Sequence, residues 1–230
     1  MKNELDYYLE WNPRFWEAPF LFGLSHVGRE LAGKKVLEIG PRRGRMCAWF
    51  AEQGATVVGG DLRLHYLTEA AAESRKNGPP TFSLVQLNGE VLPFRDGSFD
   101  VVFTKSVFVF FDRPAALREM LRVLKPGGYV WLVENMKRNP FAVLTRFARK
   151  VLGHEWIQRV SFLTLGEVAS YAPLFSAFSH AEYHVATPVL HVVPLPRAWL
   201  RRLVNLEHSA LRRLPFLARF AWLTCIVGRK

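Results

Sequence analysis

Val36-Leu37-Glu38-Ile39-Gly40-Pro41-Arg42-Arg43-Gly44 is a short apolar run that ends on glycine and leads straight into a helical pattern beginning at Arg45. Ligands of open α/β sheets bind beyond the carboxyl ends of the strands, where glycine lets a backbone turn tightly and approach a ligand closely. Gly40 and Gly44 can fill those roles. A dinucleotide fingerprint would need glycine at the positions of Gly40, Arg42 and Arg45, and two of those three are arginine. Nicotinamide and flavin cofactors are therefore disfavoured.

Around this loop, strand-like runs at Lys35–Ile39, Thr56–Gly59, Phe82–Leu87, Phe99–Phe103 and Tyr129–Val133 alternate with helical patterns at Arg45–Gln53, Leu64–Lys76 and Ala115–Leu124. The last helix is stopped by Lys125-Pro126-Gly127-Gly128, which is helix-end and turn chemistry. Strands alternating with helices call for a parallel sheet covered on both faces. An aromatic, helix-compatible segment from Tyr7 to Leu31 precedes this core and holds Trp11, Phe15, Trp16, Phe20 and Phe22, which suit either core packing or a substrate-side lid. A helical region from about Phe141 to Tyr171, a strand near Glu182–Thr187, a basic amphipathic helix from Arg197 to Leu214 and a last strand, Ala221–Gly228, follow it. Half of the 230 residues are hydrophobic, enough for one well-buried α/β domain. The expected division is an N-terminal helical lid over 1–32, a cofactor-binding core over 33–136 and basic substrate-side elements over 137–230.

At the end of the second strand, Gly59-Gly60-Asp61-Leu62 puts a carboxylate 21 positions after Gly40. A carboxylate there can accept hydrogen bonds from both hydroxyls of a ribose. Further on, Leu87-Asn88-Gly89-Glu90-Val91-Leu92-Pro93-Phe94 leaves the third strand and Asp96-Gly97-Ser98-Phe99-Asp100 opens the fourth.

Together these motifs, from Lys35 to Glu134, resemble the small-molecule class I S-adenosylmethionine-dependent methyltransferases of the methyltransferase type 11 kind. Their chains read as an acidic-x-Gly-x-Gly-x-Gly loop, a ribose acid, an acidic-Ala-x-x-Leu-Pro-Phe segment and Leu-Lys-Pro-Gly-Gly. The resemblance implies a Rossmann-like, seven-stranded, mostly parallel sheet with the last strand antiparallel and helices on both faces. It implies S-adenosyl-L-methionine as cofactor, with Glu38, Gly40 and Gly44 at its methionine end, Asp61 on the ribose and Leu62 on one face of the adenine. Asn88, with Gly89, falls where the family carries an aspartate that accepts from the adenine amino group, and Thr104 at the strand end that borders the sulfonium. Arg42 stands where the family has its middle glycine, so its side chain must point away or close over the cofactor carboxylate. Phe110 stands where many relatives carry histidine.

Methyl transfer from a sulfonium is an in-line displacement with a good leaving group, so holding acceptor and methyl in line in a water-poor pocket supplies much of the rate. If the acceptor is a hydroxyl that must lose a proton, Lys105 and Glu134, near the ends of the fourth and fifth strands, are candidate bases. Their alternative role is as surface or salt-bridge residues. The expected acceptor is a small molecule or a lipid- or glycan-linked group, methylated at oxygen or nitrogen.

Residues 1–136 hold 17 Lys and Arg against 16 Asp and Glu, and residues 137–230 hold 14 against 4, so the basic character belongs to the C-terminal part. Arg197, Arg201, Arg202, Asn205, His208, Arg212 and Arg213 can share one side of the Arg197–Leu214 helix, with Trp199, Leu203, Leu206, Ala210 and Leu214 opposite. That helix is expected either to lie on an anionic membrane surface or bind an acidic or lipid-linked acceptor, or to pack on the sheet with solvated arginines. An RNA-directed enzyme is the first rival reading, disfavoured for base amino groups because the stretch after the fourth strand is Thr104-Lys105-Ser106-Val107 and not Asn/Asp-Pro-Pro-aromatic. A non-catalytic partner subunit is the second. Cys47 and Cys225 are too few for a zinc cluster or a disulfide framework, and none of the seven histidines has a metal-ligand spacing, so no metal is expected. The Met1–Asp6 start lacks secretory features and no apolar run reaches bilayer-spanning length, which favours a cytoplasmic chain, soluble or peripheral to the inner face of the membrane.

Overall fold

The computed structural model describes residues 13–76, 81–153, 160–187 and 195–230. Trp11 and the start of the N-terminal aromatic segment lie outside these ranges, as do His154, His191 and the side chain of Arg197. In chain order the elements are helix α1 (Pro13–Val27), strand β1 (Lys35–Ile39), α2 (Arg45–Glu52), β2 (Thr56–Asp61), α3 (Leu64–Ser74), β3 (Ser83–Gln86) and β4 (Phe99–Lys105). There follow α4 (Arg113–Val123), β5 (Leu124–Asn135), α5 (Pro140–Val151), α6 (Leu165–Ser170), β6 (Ala177–Tyr183), α7 (Arg197–Arg213) and β7 (Leu223–Arg229). The seven strands form one sheet in the order β3-β2-β1-β4-β5-β7-β6. All neighbours pair in parallel except β7, which runs antiparallel to both β5 and β6.

The continuous apolar runs are explained by burial on two faces, as parallel strands require. Val101 and Phe103 of β4, with Trp131 and Val133 of β5, serve one core, whereas the alternate residues Val102, Val130 and Leu132 serve the other. On the first face lie α1 and α2. The Phe20 ring of α1 meets Trp49, Trp131 and Phe103 at centroid distances of 5.0, 4.8 and 6.3 Å. Gly23 makes this approach possible, because a Cβ there would lie 1.9 Å from the Trp131 ring. The N-terminal aromatics Phe15, Trp16 and Phe20 are thus core residues. On the second face, Ala116, Leu117, Met120 and Val123 of α4 and Val168 of α6 cover Leu37, Ile39 and Leu132.

Two strands differ most in extent from the sequence reading; β2, β3, β4 and β7 shift by one or two residues at an end. Leu124-Lys125-Pro126-Gly127-Gly128 stops α4 as expected but already belongs to β5, where Leu124 pairs with Phe99 ahead of a register shift. The strand expected near Glu182–Thr187 runs instead from Ala177 to Tyr183, because His184 adopts a left-handed φ of 67° and turns its ring into the core. There it stacks on Phe15 at 4.4 Å and bonds the Phe15 carbonyl and the Thr187 hydroxyl, each at 2.8 Å.

Helix α7 packs through Leu200, Val204 and Leu211. Trp199, Leu206, Ala210 and Leu214, grouped by sequence as its apolar side, are exposed. Arg201 is tied to Glu17 of α1 at 2.5 Å, while Arg202, Arg212 and Arg213 are exposed. No helix among the described residues is long and apolar enough to cross a membrane.

Candidate active site

The parallel strands deliver their loops to a single edge, and the register decides which residues meet there. Ile39 pairs with Gly60, so the first residues past that pair, Gly40 and Asp61, are neighbours, and the Gly40 N–H donates to the Gly60 carbonyl at 2.8 Å. Gly40, Arg42 and Gly44 all have left-handed φ values, of 78°, 49° and 73°. The loop is pressed from both sides. A Cβ on Gly40 would lie 2.3 Å from Val107 in the turn after β4, and one on Gly44 would lie 2.7 Å from Phe82. The Gly44 N–H returns to the Pro41 carbonyl at 2.7 Å, and α2 starts at the next residue. The loop therefore holds a tight turn against the start of α2, an arrangement suited to a small anionic group.

Glu38 is buried beneath this loop, beside the Cys47 thiol of α2. Burial, and then the Glu38 charge, push that thiol well above its ordinary range, so Cys47 is an inert packing residue. Arg42 is exposed and spends a left-handed conformation that glycine adopts at less cost. Arg42→Gly is expected to stabilise the fold by roughly 0.5–1 kcal/mol and to leave cofactor binding intact or improved. Urea denaturation and a binding titration check this; a large loss of affinity would show that the guanidinium contacts a ligand.

Asp61 is half-buried, and loss of solvent raises its carboxyl above the usual range although Oδ1 accepts from the Arg63 N–H at 2.9 Å. Leu62, the next residue, is 64 % exposed, which leaves an apolar surface beside the carboxylate. Asn88 is exposed and its Oδ1 accepts from the Glu90 N–H at 3.0 Å in a local turn. Gly89 is required by Phe111, whose ring lies 2.6 Å from where a Cβ would be. Glu90 in turn accepts from the Asp112 N–H at the start of α4 at 2.8 Å.

Thr104 and Glu134 come together beneath the turn that follows β4. Both are fully buried. Glu134 Oε1 accepts from Thr104 Oγ1 at 3.1 Å, from the Val107 N–H at 3.0 Å and from the Phe108 N–H at 2.9 Å. Burial pushes its carboxyl up to about 7 against these donors, which pull the other way. Glu134 is thus no surface group, and among the described residues it has no salt-bridge partner; it anchors the turn that presses on Gly40. Lys105 is half-buried, with Nζ 5.6 Å from the centre of the Trp16 ring. Phe110 is exposed on the short helical turn beyond.

Sequence reasoning missed the second fastening of this turn. Asn135 Nδ2 donates to Ser106 Oγ at 2.8 Å, Ser106 has a left-handed φ of 58°, and Trp222 Nε1 donates to Asn135 Oδ1 at 3.2 Å. These partners are 29 and 87 residues apart, so no local pattern marks them. His180 bonds Glu182 at 2.7 Å on β6, away from this edge.

Comparison with known proteins agrees with this geometry. Residues 37–132 match the family model of a methyltransferase domain. A ubiquinone biosynthesis O-methyltransferase of Xanthomonas euvesicatoria is 29% identical over 171 residues, 69% of this chain and 70% of the relative. Methyltransferase GfsG of Streptomyces halstedii is 36% identical over 110 residues, 46% of this chain and 40% of the relative. The chain spans only 40 to 46% of the length of several curated relatives that it matches. Among solved structures, the YcgJ protein of Bacillus subtilis superposes with a TM-score of 0.64 at 20% identity, over 93% of this chain and 98% of that one. The S-adenosylmethionine complex of phosphoethanolamine N-methyltransferase 2 from Haemonchus contortus gives 0.67 at 18% identity, over 94% and 52%. A strand order with only β7 reversed, a glycine loop leading into α2 and the match to the family model lead to one conclusion: residues 37–132 of this chain are a methyltransferase domain, set in the fold of the class I S-adenosylmethionine-dependent methyltransferases it resembles.

Proposed function

We propose that the protein transfers the methyl group of S-adenosyl-L-methionine to a small-molecule, lipid-linked or glycan-linked acceptor, at oxygen or nitrogen. The observation that carries this reading is the meeting of the left-handed Gly40–Gly44 loop and the Asp61 carboxylate on adjacent strand ends. One relative is named an O-methyltransferase and one structural neighbour an N-methyltransferase, so the proposal keeps both acceptor atoms.

The residues present fit the cofactor. Gly40, Gly44 and the start of α2 suit its carboxylate, and Glu38 its amino group. Asp61 accepts from the two ribose hydroxyls, Leu62 covers one face of the adenine, and Asn88, next to Gly89, offers an amide to the adenine edge. When bound, the cofactor supplies a methyl group on a positively charged sulfur. Thr104 and Glu134 act from below, by fixing the turn of residues 104–108 against Gly40 and so positioning the wall of the site. Lys105, on the rim beside Trp16, is the remaining candidate for proton transfer from an acceptor.

Calorimetric titration with S-adenosylmethionine, followed by transfer of a labelled methyl group to a panel of hydroxyl and amine acceptors, tests the proposal. Saturable binding and transfer are expected. Absence of any binding would remove the enzymatic reading and leave a partner subunit of methyltransferase fold.

A further inference from the structure

Helix α5 is amphipathic, and it is turned the unexpected way. At helical spacing Phe141, Val143, Leu144, Phe147, Val151 and Leu152 fall within one half of its circumference, while Thr145, Arg146 and Arg149 share the other half with Ala142. A helix of this kind in a soluble domain faces its apolar half inward. Here Ala142 is the buried residue, and the inner side is held by polar contacts. Arg146 donates to the Met136 and Lys137 carbonyls at 2.7 and 3.1 Å and lies over the Phe162 ring at 3.5 Å. The apolar half points to solvent: Leu144 is 66 % exposed, Phe147 65 % and Val151 69 %.

The orientation is fixed by the helix start. Asn139, fully buried, caps α5 through Oδ1 to the Ala142 N–H at 3.0 Å, and its Nδ2 donates to the carbonyls of His184, Val185 and Phe220. Helix α7 is fastened to the same turn, since Glu207 accepts from the N–H groups of Val185, Ala186 and Thr187 at 2.6, 3.1 and 2.8 Å. It adds exposed Trp199 and Leu206, with Phe216 just beyond it. This turn follows β6, which runs parallel to β1, so both helices spring from the sheet edge that carries Gly40 and Asp61.

Charge identifies the occupant. Residues 137–153 contain Lys137, Arg138, Arg146, Arg149 and Lys150 and no acidic residue. Lys137, Arg138 and Lys150 are exposed around the apolar half, as are Arg202, Arg212 and Arg213 on α7. An apolar helix face with a cationic border matches the acyl and headgroup layers of an anionic bilayer. RNA would use the cations but leave the aliphatic and phenyl surface without a role.

We propose that α5, with the outer side of α7, is a docking surface for an anionic lipid bilayer, on which α5 lies with Leu144, Phe147 and Val151 sunk below the headgroups. Docking stands independently of methyl transfer; combined with the proposed function, it places the site edge where a membrane-borne acceptor arrives.

Co-sedimentation of the full chain with phosphatidylglycerol-containing vesicles and with pure phosphatidylcholine vesicles tests this. Binding to the anionic vesicles that weakens with salt is expected, and Phe147→Asp should reduce it by roughly tenfold or more, because a charge replaces a buried phenyl group. The pair Lys137→Glu and Lys150→Glu should reduce binding to the anionic vesicles alone. Titration of each variant with S-adenosylmethionine reports that the fold and the cofactor site are intact, and vesicle binding without cofactor binding would leave docking standing while removing the methyl-transfer reading. Three results overturn the proposal: no binding to anionic vesicles at low salt, binding that survives Phe147→Asp, or a solution dimer that Phe147→Asp dissolves and that does not bind vesicles.

Discussion

Glu134→Ala is expected to cost about 3–5 kcal/mol of folding stability, because it strands two buried donors and a part-buried one around the turn after β4. Glu134→Gln keeps an acceptor oxygen at that point and should cost less, and it removes the titration. The pH dependence follows from the carboxyl being raised from 4.5 to about 7 by burial. A raised carboxyl favours the folded state in its protonated form, so its contribution is full below about pH 4.5 and is lost as pH climbs through 7. Wild type should therefore lose about 3 kcal/mol relative to Glu134→Gln between those limits. Urea denaturation of both proteins at pH 5 and pH 8 measures the difference. If the two proteins change in step, the buried carboxylate does not carry this penalty.

For Asp61→Ala the expected effect is on the cofactor: S-adenosylmethionine affinity falls by about 1.5–3 kcal/mol, the scale for charged hydrogen bonds to two hydroxyls. Asp61 also accepts from the Arg63 N–H, so the alanine variant should lose a little stability as well. Asp61→Asn separates the two roles, since its amide oxygen preserves the local turn while the charge is gone. Calorimetric titration of both variants checks this, and unchanged affinity in Asp61→Ala would remove Asp61 from the ribose.

Strands β1, β2 and β4 were legible because apolar residues dominate them, although β2 and β4 run two residues past the expected ends at Gly59 and Phe103, to Asp61 and Lys105. The edge at which the cofactor is proposed to bind could be located for the same reason: Gly40, Gly44 and Asp61 lie at or just beyond strand ends and need no distant partner to be placed there. Glu134 was visible as a residue near a strand end but not as the anchor of a turn, since its donors are 26 to 30 positions away. The β6 boundary was displaced because the left-handed turn at His184 is held by Phe15, 169 residues distant. In α5 and α7 helical periodicity marks which residues share a side. It does not say which side meets the protein, and for both helices tertiary fastening at Asn139, Glu207 and Arg201 decided it.

The placement of β7 between β5 and β6 has a consequence for synthesis on the ribosome. Strand β6 pairs with the sheet only through β7, so residues 177–183 have no strand partner until residues 223–229 have been made. During that interval residues 129–135 of β5 present an open backbone edge, although α5 and α7 have already been translated. An unpaired strand edge of this kind is a template for wrong association. The β5 edge that β7 covers is therefore the part of this sheet most open to wrong pairing before residues 223–229 are in place.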